Sequence, residues 1–405
     1  MHVKSFCIMF PVLDEKISGA LLVAYRLAGV VLQGGINLKL IDYKQGLLYK
    51  LLVSDGVDFD FLNLDDYGWD SRVQSSDVVF GFNNDIYSYS LYFKNNPFVY
   101  FYDVYPPFWS RFLRPKGFEL FGVESFVCNI AEKGFFSNAL SVMECRSSGN
   151  ISKRFPFLSN RITPLIPVSV NWAENTYVYR GLKEIKITYI GRSECWKITP
   201  LAKLMADCLL LNGIFKIFFN IVVSDVSVCK KILEDFGLDL NYFNIDFIEN
   251  ISPSELVKVI VDNTDIGFAM GTSALELSSH GVPTILADFS KNKFPDDYKY
   301  KWLYQADAYT LGLDLDDPEN QERLREGIVA KQIIEDFLKK NKEISNKCHS
   351  YVVKNHLLQE NYKYLRDLAL KSSFKVKDLK SFHTTFFSRF QVFRKLVYGK
   401  RKYER

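Results

Sequence analysis

The sequence lacks a long apolar run. No stretch reaches about 18 uninterrupted apolar residues, whereas a bilayer-spanning helix needs about 20. The apolar run near the start, closed by Pro11, is too short for a span and lacks a signal-peptide cleavage pattern. We therefore expect a cytoplasmic chain that is soluble or, at most, peripheral on the inner face of the cytoplasmic membrane.

Cysteine pairs are also missing. The seven cysteines are scattered without a C-x-x-C pair, and none has a histidine at metal-ligand spacing. This usage is typical of reduced thiols in a cytosol and argues against a disulfide scaffold.

Excess positive charge is scarce, since the net charge is only +4. Residues 371–405 hold eleven Lys and Arg against two Asp and Glu, so the rest of the chain is mildly acidic. A nucleic-acid-binding protein more often spreads positive charge over a folded face. We therefore expect no nucleic acid partner.

The sequence does contain enough apolar material for two cores. Hydrophobic residues make up 48% and charged residues 24% of 405 residues, which is the composition of a folded globular protein. A chain of this length exceeds one ordinary core, so two domains are expected.

The N-terminal domain, residues 1–170, has the opening pattern of a parallel α/β sheet. Its predicted elements are a strand over 6–13, a turn at Ser18-Gly19, a helix over 20–32, and strands over 36–42, 76–80 and 98–102.

The C-terminal domain, residues 171–320, alternates strands and helices more regularly, as a doubly wound sheet does. Its predicted strands are 185–190, 215–223, 245–248, 265–269 and 284–287, and its helices are 200–211, 228–236, 254–261 (capped by Ser252) and 273–279. Residues 321–405 are assigned to C-terminal helices, with apolar positions at Leu324, Ile328, Ile333, Ile334 and Phe337.

The first candidate site follows the predicted strand 185–190. Gly191 lets a ligand approach the backbone, and the cations Arg192 and Lys197 lie five residues apart. A diphosphate needs this combination of accessible backbone and positive charge. The alternative is an exposed loop whose Arg and Lys face water.

The second candidate site follows the predicted strand 265–269. Gly271 frees the turn, and Thr272 and Ser273 lie at or near a helix N-cap, where hydroxyls add to the N–H groups. Glu276, one turn inside the helix, can accept from ribose hydroxyls. The alternative is a capped helix whose Glu276 only complements the macrodipole.

Together these segments resemble the donor-binding domain of GT-B glycosyltransferases, in the group of sucrose synthase and bacterial polysaccharide transferases. The resemblance covers about residues 185–287. It rests on Gly191-Arg192 with Lys197, on 247–256, on 263–266, and on Leu275-Glu276 with 281–283. Ser18-Gly19 is similar to the group's opening motif, and 167–171 to the segment before its interdomain crossover.

The resemblance implies an α/β, GT-B fold: two Rossmann-like domains facing each other across a cleft, with C-terminal helices. It implies that Arg192, Lys197 and N–H groups near Thr272 bind the diphosphate of a nucleotide-sugar, and that Glu276 binds its ribose. The remaining predicted donor-site residues are Gly19, Gly191, Asn250, Gly271 and Ser273. No cofactor is expected beyond the nucleotide-sugar substrate.

The sequence departs from the group at two positions. The group commonly carries a second glutamate eight positions before the ribose-binding one, where it contacts the donor sugar, but this chain has Phe268. Ile198 replaces the glycine that follows the phosphate-binding lysine. The nucleotide half of the site therefore matches while the sugar half differs, which leaves retention or inversion open.

An inverting transferase needs a general base for the acceptor hydroxyl. Asp14 and Asp103 each follow or end a predicted strand and are the candidate catalytic residues. Either can instead be a turn-forming aspartate. Asp58-Phe59-Asp60 has the Asp-x-Asp spelling of metal-dependent transferases, but the Arg/Lys phosphate site makes a metal unnecessary, and none is expected.

Residues 375–405, here called the basic tail, interleave cations with aromatic residues. Phe382, Phe386, Phe390 and Phe393 lie on one helical stripe, with most cations off it. Such a helix suits an anionic membrane surface. The alternative is a terminal helix that packs its apolar stripe onto the N-terminal domain.

The sequence thus predicts a glycosyltransferase that moves a sugar from a nucleoside diphosphate sugar to a glycan or lipid-linked glycan. Bacterial surface polysaccharide synthesis, such as that of lipopolysaccharide, O-antigen or capsule, is the expected pathway. The alternatives are a catalytically inactive GT-B subunit that binds a partner or membrane, and a nucleotide-sugar epimerase of the same fold.

Overall fold

The chain forms two units. The first contains Met1–Pro167 and Gln359–Arg405, and the second contains Val168–Leu358. Residues 321–405, grouped together in the sequence analysis, are therefore divided between the units at Leu358. The computed structural model describes residues 5–13, 18–82, 86, 89–103, 139–144, 164–179, 181, 184–211, 213–249, 251–292, 294–307, 309–318, 320, 322 and 326–380.

The first unit opens with alternating strands and helices, as predicted. They are β1 (Ser5–Met9), α1 (Gly19–Gln33), β2 (Asn37–Asp42), α2 (Leu47–Ser54), β3 (Asp60–Asn63), β4 (Val78–Phe82), β5 (Phe98–Asp103) and β6 (Leu140–Val142). β1 is shorter than the predicted strand because Pro11 has no N–H with which to continue a ladder.

The strands of the first unit form one parallel sheet in the order β3-β2-β1-β4-β5-β6. β1 and β4 are buried along their whole length, as expected for a parallel sheet covered on both faces. Ser18 caps α1 by accepting from the backbone N–H of Leu21 at 3.2 Å.

The second unit repeats the plan. Its elements are β7 (Glu184–Gly191), α3 (Cys195–Leu209), β8 (Lys216–Val223), α4 (Val226–Asp235), β9 (Asn244–Glu249), α5 (Pro253–Asn263), β10 (Ile266–Ala269), α6 (Thr272–Ser279), β11 (Thr284–Leu286), β12 (Lys301–Trp302) and α7 (Ala330–Asn355).

The second sheet has the order β12-β11-β10-β7-β8-β9, and every pair is parallel except β11 with β12. The capping box that opens α5 agrees with the predicted cap: Ser252 accepts from Glu255 N–H, and the Glu255 carboxylate accepts from Ser252 N–H at 2.9 Å.

Two predictions in this unit were wrong. α3 begins at Cys195 and not at residue 200, so Pro200 lies inside the helix. The α-helix expected after residue 318 begins at Ala330, and Ile328, which was placed in that helical pattern, instead forms an antiparallel bridge with Tyr300. Ile333, Ile334 and Phe337 are buried on α7, whereas Leu324 lies outside the described residues.

The chain ends with α8 (Leu358–Leu370) and α9 (Val376–Lys380). Phe374, Val376 and Leu379 belong to the core of the first unit, and Phe374 O accepts from Val99 N–H at 2.9 Å. The basic tail therefore begins as a packed segment up to Lys380. Residues 381–405, with its predicted stripe, lie outside the described residues.

Candidate functional site

Both predicted donor segments lie at a topological switch point of the second sheet. β7 and β10 pair directly, with Tyr189 in register with Phe268. The chain runs outward from β7 to β9 on one side and from β10 to β12 on the other. Ligands of doubly wound sheets bind at such a point, outside the carboxyl ends of the strands. α3 and α6 begin there, so two positive helix ends lie at adjacent strand ends.

The turn from β7 to α3, residues 191–194, begins at Gly191. A side chain at this position would collide with the Tyr189 hydroxyl. Tyr189 is buried and donates to the Lys197 backbone oxygen at 2.8 Å. Glycine is thus required here because a tyrosine reaches past it and ties β7 to the first turn of α3.

Arg192 forms an exposed ion pair within this turn. Its Nη1 lies 3.0 Å from Glu194 Oε1, and the two side chains are 34% and 38% exposed. Such pairs contribute little to stability. A diphosphate carries more negative charge than one carboxylate, so Arg192 can change partners readily. The sequence analysis did not single out Glu194, although an acid two residues from a phosphate-binding arginine was a visible signal.

Lys197 lies in the first turn of α3 and not in a loop, because the helix begins earlier than predicted. Its Nζ is 4.6 Å from the centre of the Trp196 ring. Burial lowers the pKa of Lys197 to about 8, and the positive charge of Arg192 adds to that shift. The negative charge of a bound diphosphate would oppose this shift, because an anion nearby favours the charged form of Lys197.

Trp196 and Phe289 are two site residues that the sequence analysis missed. Their rings meet at 5.0 Å between centroids, nearly edge to face. Phe289 follows β11, so the contact joins the start of α3 to the end of another strand. Trp196, the member of this pair that the Lys197 Nζ approaches, is thus held in place by Phe289. No short sequence spacing connects residues 196 and 289, so only the fold could bring them together.

Gly271 forms the turn from β10 to α6 as predicted. Its backbone has φ +62° and ψ −141°, a conformation that is essentially restricted to glycine. Its N–H donates to Leu311 O at 2.8 Å and is therefore already used within the protein. The N–H groups that α6 can offer to an anion are those of the residues that follow.

Thr272 and Ser273 lie next to the N-cap of α6, as predicted, but neither is the capping residue. Gly271 is itself the N-cap, and no side chain caps α6. Thr272 and Ser273 are instead the first two residues of the helix, with half-buried side chains. They contribute the first backbone N–H groups of α6.

Glu276 lies in the second turn of α6 and is half-buried. Burial lowers the pKa of His280, one turn further along, and the nearby Glu276 carboxylate opposes that shift. The Glu276 carboxylate thus lies near the switch point but one turn beyond the N-terminus of α6. Ribose binding by Glu276 stays a prediction.

Phe268 is a core residue of β10. It is fully buried, with its ring 6.2 Å from that of Tyr189 and 6.3 Å from that of Tyr300. A glutamate there would be buried among aromatic rings and not exposed at the strand end. The position eight residues before Glu276 therefore does not correspond to a sugar-contacting site in this chain.

The first unit contains the other predicted site residues. Asp103 is the last residue of β5 and is fully buried, and its backbone oxygen accepts from Met143 N–H at 3.1 Å. Gly19 is the first residue of α1, directly after the Ser18 cap. Asp14, and Asn250 of the second unit, lie outside the described residues.

Within the described residues, no group of three His, Cys, Asp or Glu side chains is arranged to hold a metal ion. In the Asp58-Phe59-Asp60 segment, Asp60 forms an ion pair with Arg72. Over the same described part of the chain, no helix combines the length and the apolar character that a membrane span requires.

No protein-family model matches the sequence, and no curated protein does either. Solved structures match over nearly the whole chain. A glycosyltransferase from Rickettsia africae covers 91% of this chain and 98% of its own, with a TM-score of 0.59 at 12% identity. Anabaena HepE, solved with UDP and glucose, covers 90% and 99%, with a TM-score of 0.55 at 11% identity.

WaaG, a glycosyltransferase involved in lipopolysaccharide biosynthesis, covers 90% of this chain and 99% of its own. Its TM-score is 0.52 at 10% identity. At these identities the likeness establishes the fold. Two doubly wound α/β units and these neighbours together show that the chain has the fold of the GT-B glycosyltransferases.

Proposed function

We propose that this chain is a glycosyltransferase whose second unit binds a nucleoside diphosphate sugar. The carrying observation is the switch point between β7 and β10, where two helix N-termini accompany Arg192 and Lys197. Positive helix ends and cations are the groups that bind a diphosphate without a metal. Glu276 is proposed for the ribose, and Asn250 for the region of the base.

The proposed acceptor is a glycan or a lipid-linked glycan of a bacterial surface polysaccharide. Two neighbours support this: HepE was solved with UDP and glucose, and WaaG is named for lipopolysaccharide biosynthesis. We further propose that the basic tail holds the enzyme on the inner face of the cytoplasmic membrane. The supporting feature is the charge of residues 371–405, which include the basic tail and contain eleven basic residues but only two acidic ones.

The first test is a thermal-shift screen of the whole protein against UDP, GDP, CMP and dTDP. A ligand that binds only the native state raises the melting temperature by mass action. We expect one nucleotide to stabilise the wild type and both Arg192→Ala and Glu276→Ala to lose the effect. Lys216→Ala is the control, because Lys216 begins β8 and so lies at the amino ends of the strands, away from the switch point. If no nucleotide stabilises the wild type, the proposed donor site is wrong.

The assignment as a transferase needs a second measurement. The cognate donor sugar is incubated with the protein, with and without a crude glycolipid acceptor, and the products are separated. Acceptor-dependent release of nucleotide supports transfer. Binding without any turnover means an inactive subunit, and a changed sugar still attached to nucleotide means an epimerase. An unchanged rate in EDTA is expected, since no metal is proposed.

A further inference from the structure

We propose that Ser193 is a positioning residue that fixes the turn carrying Arg192 for diphosphate binding. The inference rests on the proposed function and concerns a residue that the sequence analysis did not single out. Ser193 follows Arg192 directly, between the arginine and its partner Glu194. Its hydrogen bonds all lead away from its own turn, to the turn that follows β8.

Four hydrogen bonds join the two turns, and the longest is from the Ser224 hydroxyl to Ser193 Oγ at 3.5 Å. Ser193 Oγ donates to the Asp225 backbone oxygen at 2.6 Å and accepts from the Asp225 backbone N–H at 2.9 Å. The Ser193 backbone N–H donates to Ser224 Oγ at 3.1 Å. One side chain thus satisfies both backbone groups of Asp225.

The partner turn is itself anchored. Asp225 is the N-cap of α4, and its carboxylate accepts from Val228 N–H at 2.9 Å. β7 and β8 pair in parallel up to Gly191 and Val223, so both turns leave adjacent strand ends at the same level. These hydrogen bonds therefore attach the turn that contains Arg192 to the capped N-terminus of α4, which restricts the movement of that turn.

This fixation matters because Arg192 is a flexible side chain whose described partner, Glu194, is exposed and weakly bound. A diphosphate gains most from a cation whose backbone is already in place, since less entropy is lost on binding. Removal of the Ser193 hydroxyl leaves both the N–H and the C=O of Asp225 without this partner, and the turn is free to shift.

The test compares Ser193→Ala with the wild type by calorimetric titration of the full-length protein. The probes are the nucleoside diphosphate identified in the thermal-shift screen and the corresponding monophosphate. We expect the diphosphate Kd to rise about five- to thirtyfold and the monophosphate Kd to change much less. The ratio of the two constants is the decisive readout, because general destabilisation would weaken both alike.

Two further variants complete the design. Ser227→Ala is the matched control, since the Ser227 hydroxyl donates to the Asp225 carboxylate at 2.7 Å and, among the described residues, is not hydrogen-bonded to the Ser193 turn. Ser224→Ala removes the acceptor of the Ser193 N–H and the longer bond to Ser193 Oγ, but it keeps both bonds between Ser193 and the Asp225 backbone. It serves if Ser193→Ala does not fold. We expect Ser224→Ala to raise the diphosphate Kd about threefold and Ser227→Ala to leave it unchanged.

The outcomes are separable from those of the proposed function. If the wild type binds no nucleotide, both the function and this inference are wrong. If the wild type binds a nucleotide but Ser193→Ala has the same ratio of diphosphate Kd to monophosphate Kd, then Ser193 only stabilises the fold and the inference alone fails. The same holds for Ser224→Ala where it replaces Ser193→Ala. A rise in the ratio of the diphosphate Kd to the monophosphate Kd that Ser227→Ala does not reproduce supports it.

Discussion

The two sheets follow one plan but differ in what lies at their strand ends. Each sheet has a topological switch point beside its first strand, between β1 and β4 in the first unit and between β7 and β10 in the second. In the first unit β2 and β5, which flank the two central strands, end in the buried acids Asp42 and Asp103. In the second unit the switch point carries Arg192 and Lys197.

Hydrogen bonds hold a buried acid at a strand end in each unit. Asp42 accepts from the backbone N–H groups of Tyr43 at 2.7 Å and Tyr49 at 3.3 Å, which is a structural role. Asp288, after β11, accepts from Leu313 N–H at 3.0 Å and from the Tyr298 hydroxyl at 2.9 Å. A buried strand-end acid is therefore common to both units.

The largest expected effect comes from Asp103. If it is the general base, Asp103→Asn lowers the rate of sugar transfer by about 10²- to 10⁴-fold and leaves the nucleotide Kd unchanged. Steady-state transfer and calorimetric binding measure the two quantities. Asp60→Asn is the control, because Asp60 pairs with Arg72 in the same unit. A transfer rate within threefold of the wild type would exclude Asp103 as the base and leave Asp14 or a retaining mechanism without a base.

The next effect concerns the turn at Gly271. An alanine there is forced into a glycine-only conformation, so we expect the free energy of unfolding to fall by about 1–3 kcal/mol. Gly29→Ala in α1 is the matched control, since its new methyl group meets nothing within 4 Å and the helix gains propensity. Urea unfolding measures both. Equal effects of the two substitutions would contradict the conformational argument.

Acid sensitivity is expected from His356 in the second unit. Burial lowers the pKa of His356 to about 4, and the ring Nδ1–H donates to Val168 O at 2.6 Å. The unfolded chain has a histidine pKa of about 6.5 and so binds more protons between these values. Stability is therefore lost as pH falls from about 6.5 toward 4. His356→Gln should make the melting temperature less dependent on pH in that window, and an unchanged slope would contradict this.

The smallest effect is a pH dependence of nucleotide binding. With a pKa of about 8, Lys197 loses its proton between pH 7 and 9. Because the charged form binds the diphosphate, the affinity should fall by up to about tenfold over this range. Lys197→Arg keeps its charge and should bind with little pH dependence. A wild-type profile as flat as that of Lys197→Arg would contradict the combination of a lowered Lys197 pKa with diphosphate binding by Lys197.

The elements of the second unit were predictable because buried parallel strands and capped helices leave local signals. Ser252 with Glu255 and the turn at Gly271 were readable from residue types alone. The start of α3 was not, because Pro200 suggested a first-turn position although it lies in the second turn. Ile328 was assigned to a helix because it lies four residues after Leu324, which is a helical spacing of apolar residues. The sequence gives no sign that Ile328 instead forms an isolated β-bridge.

The sequence by itself determined the α/β alternation, the glycines that strand ends require and the pair of cations that favours an anionic ligand. Those features depend on residues within a few positions of each other, where spacing and backbone preference are sufficient. Only the tertiary structure decided that Phe268 is a core residue and that Trp196 meets Phe289. It also decided that Ser193 joins two turns. Such contacts join segments distant in sequence, and the pairing of strands fixes them.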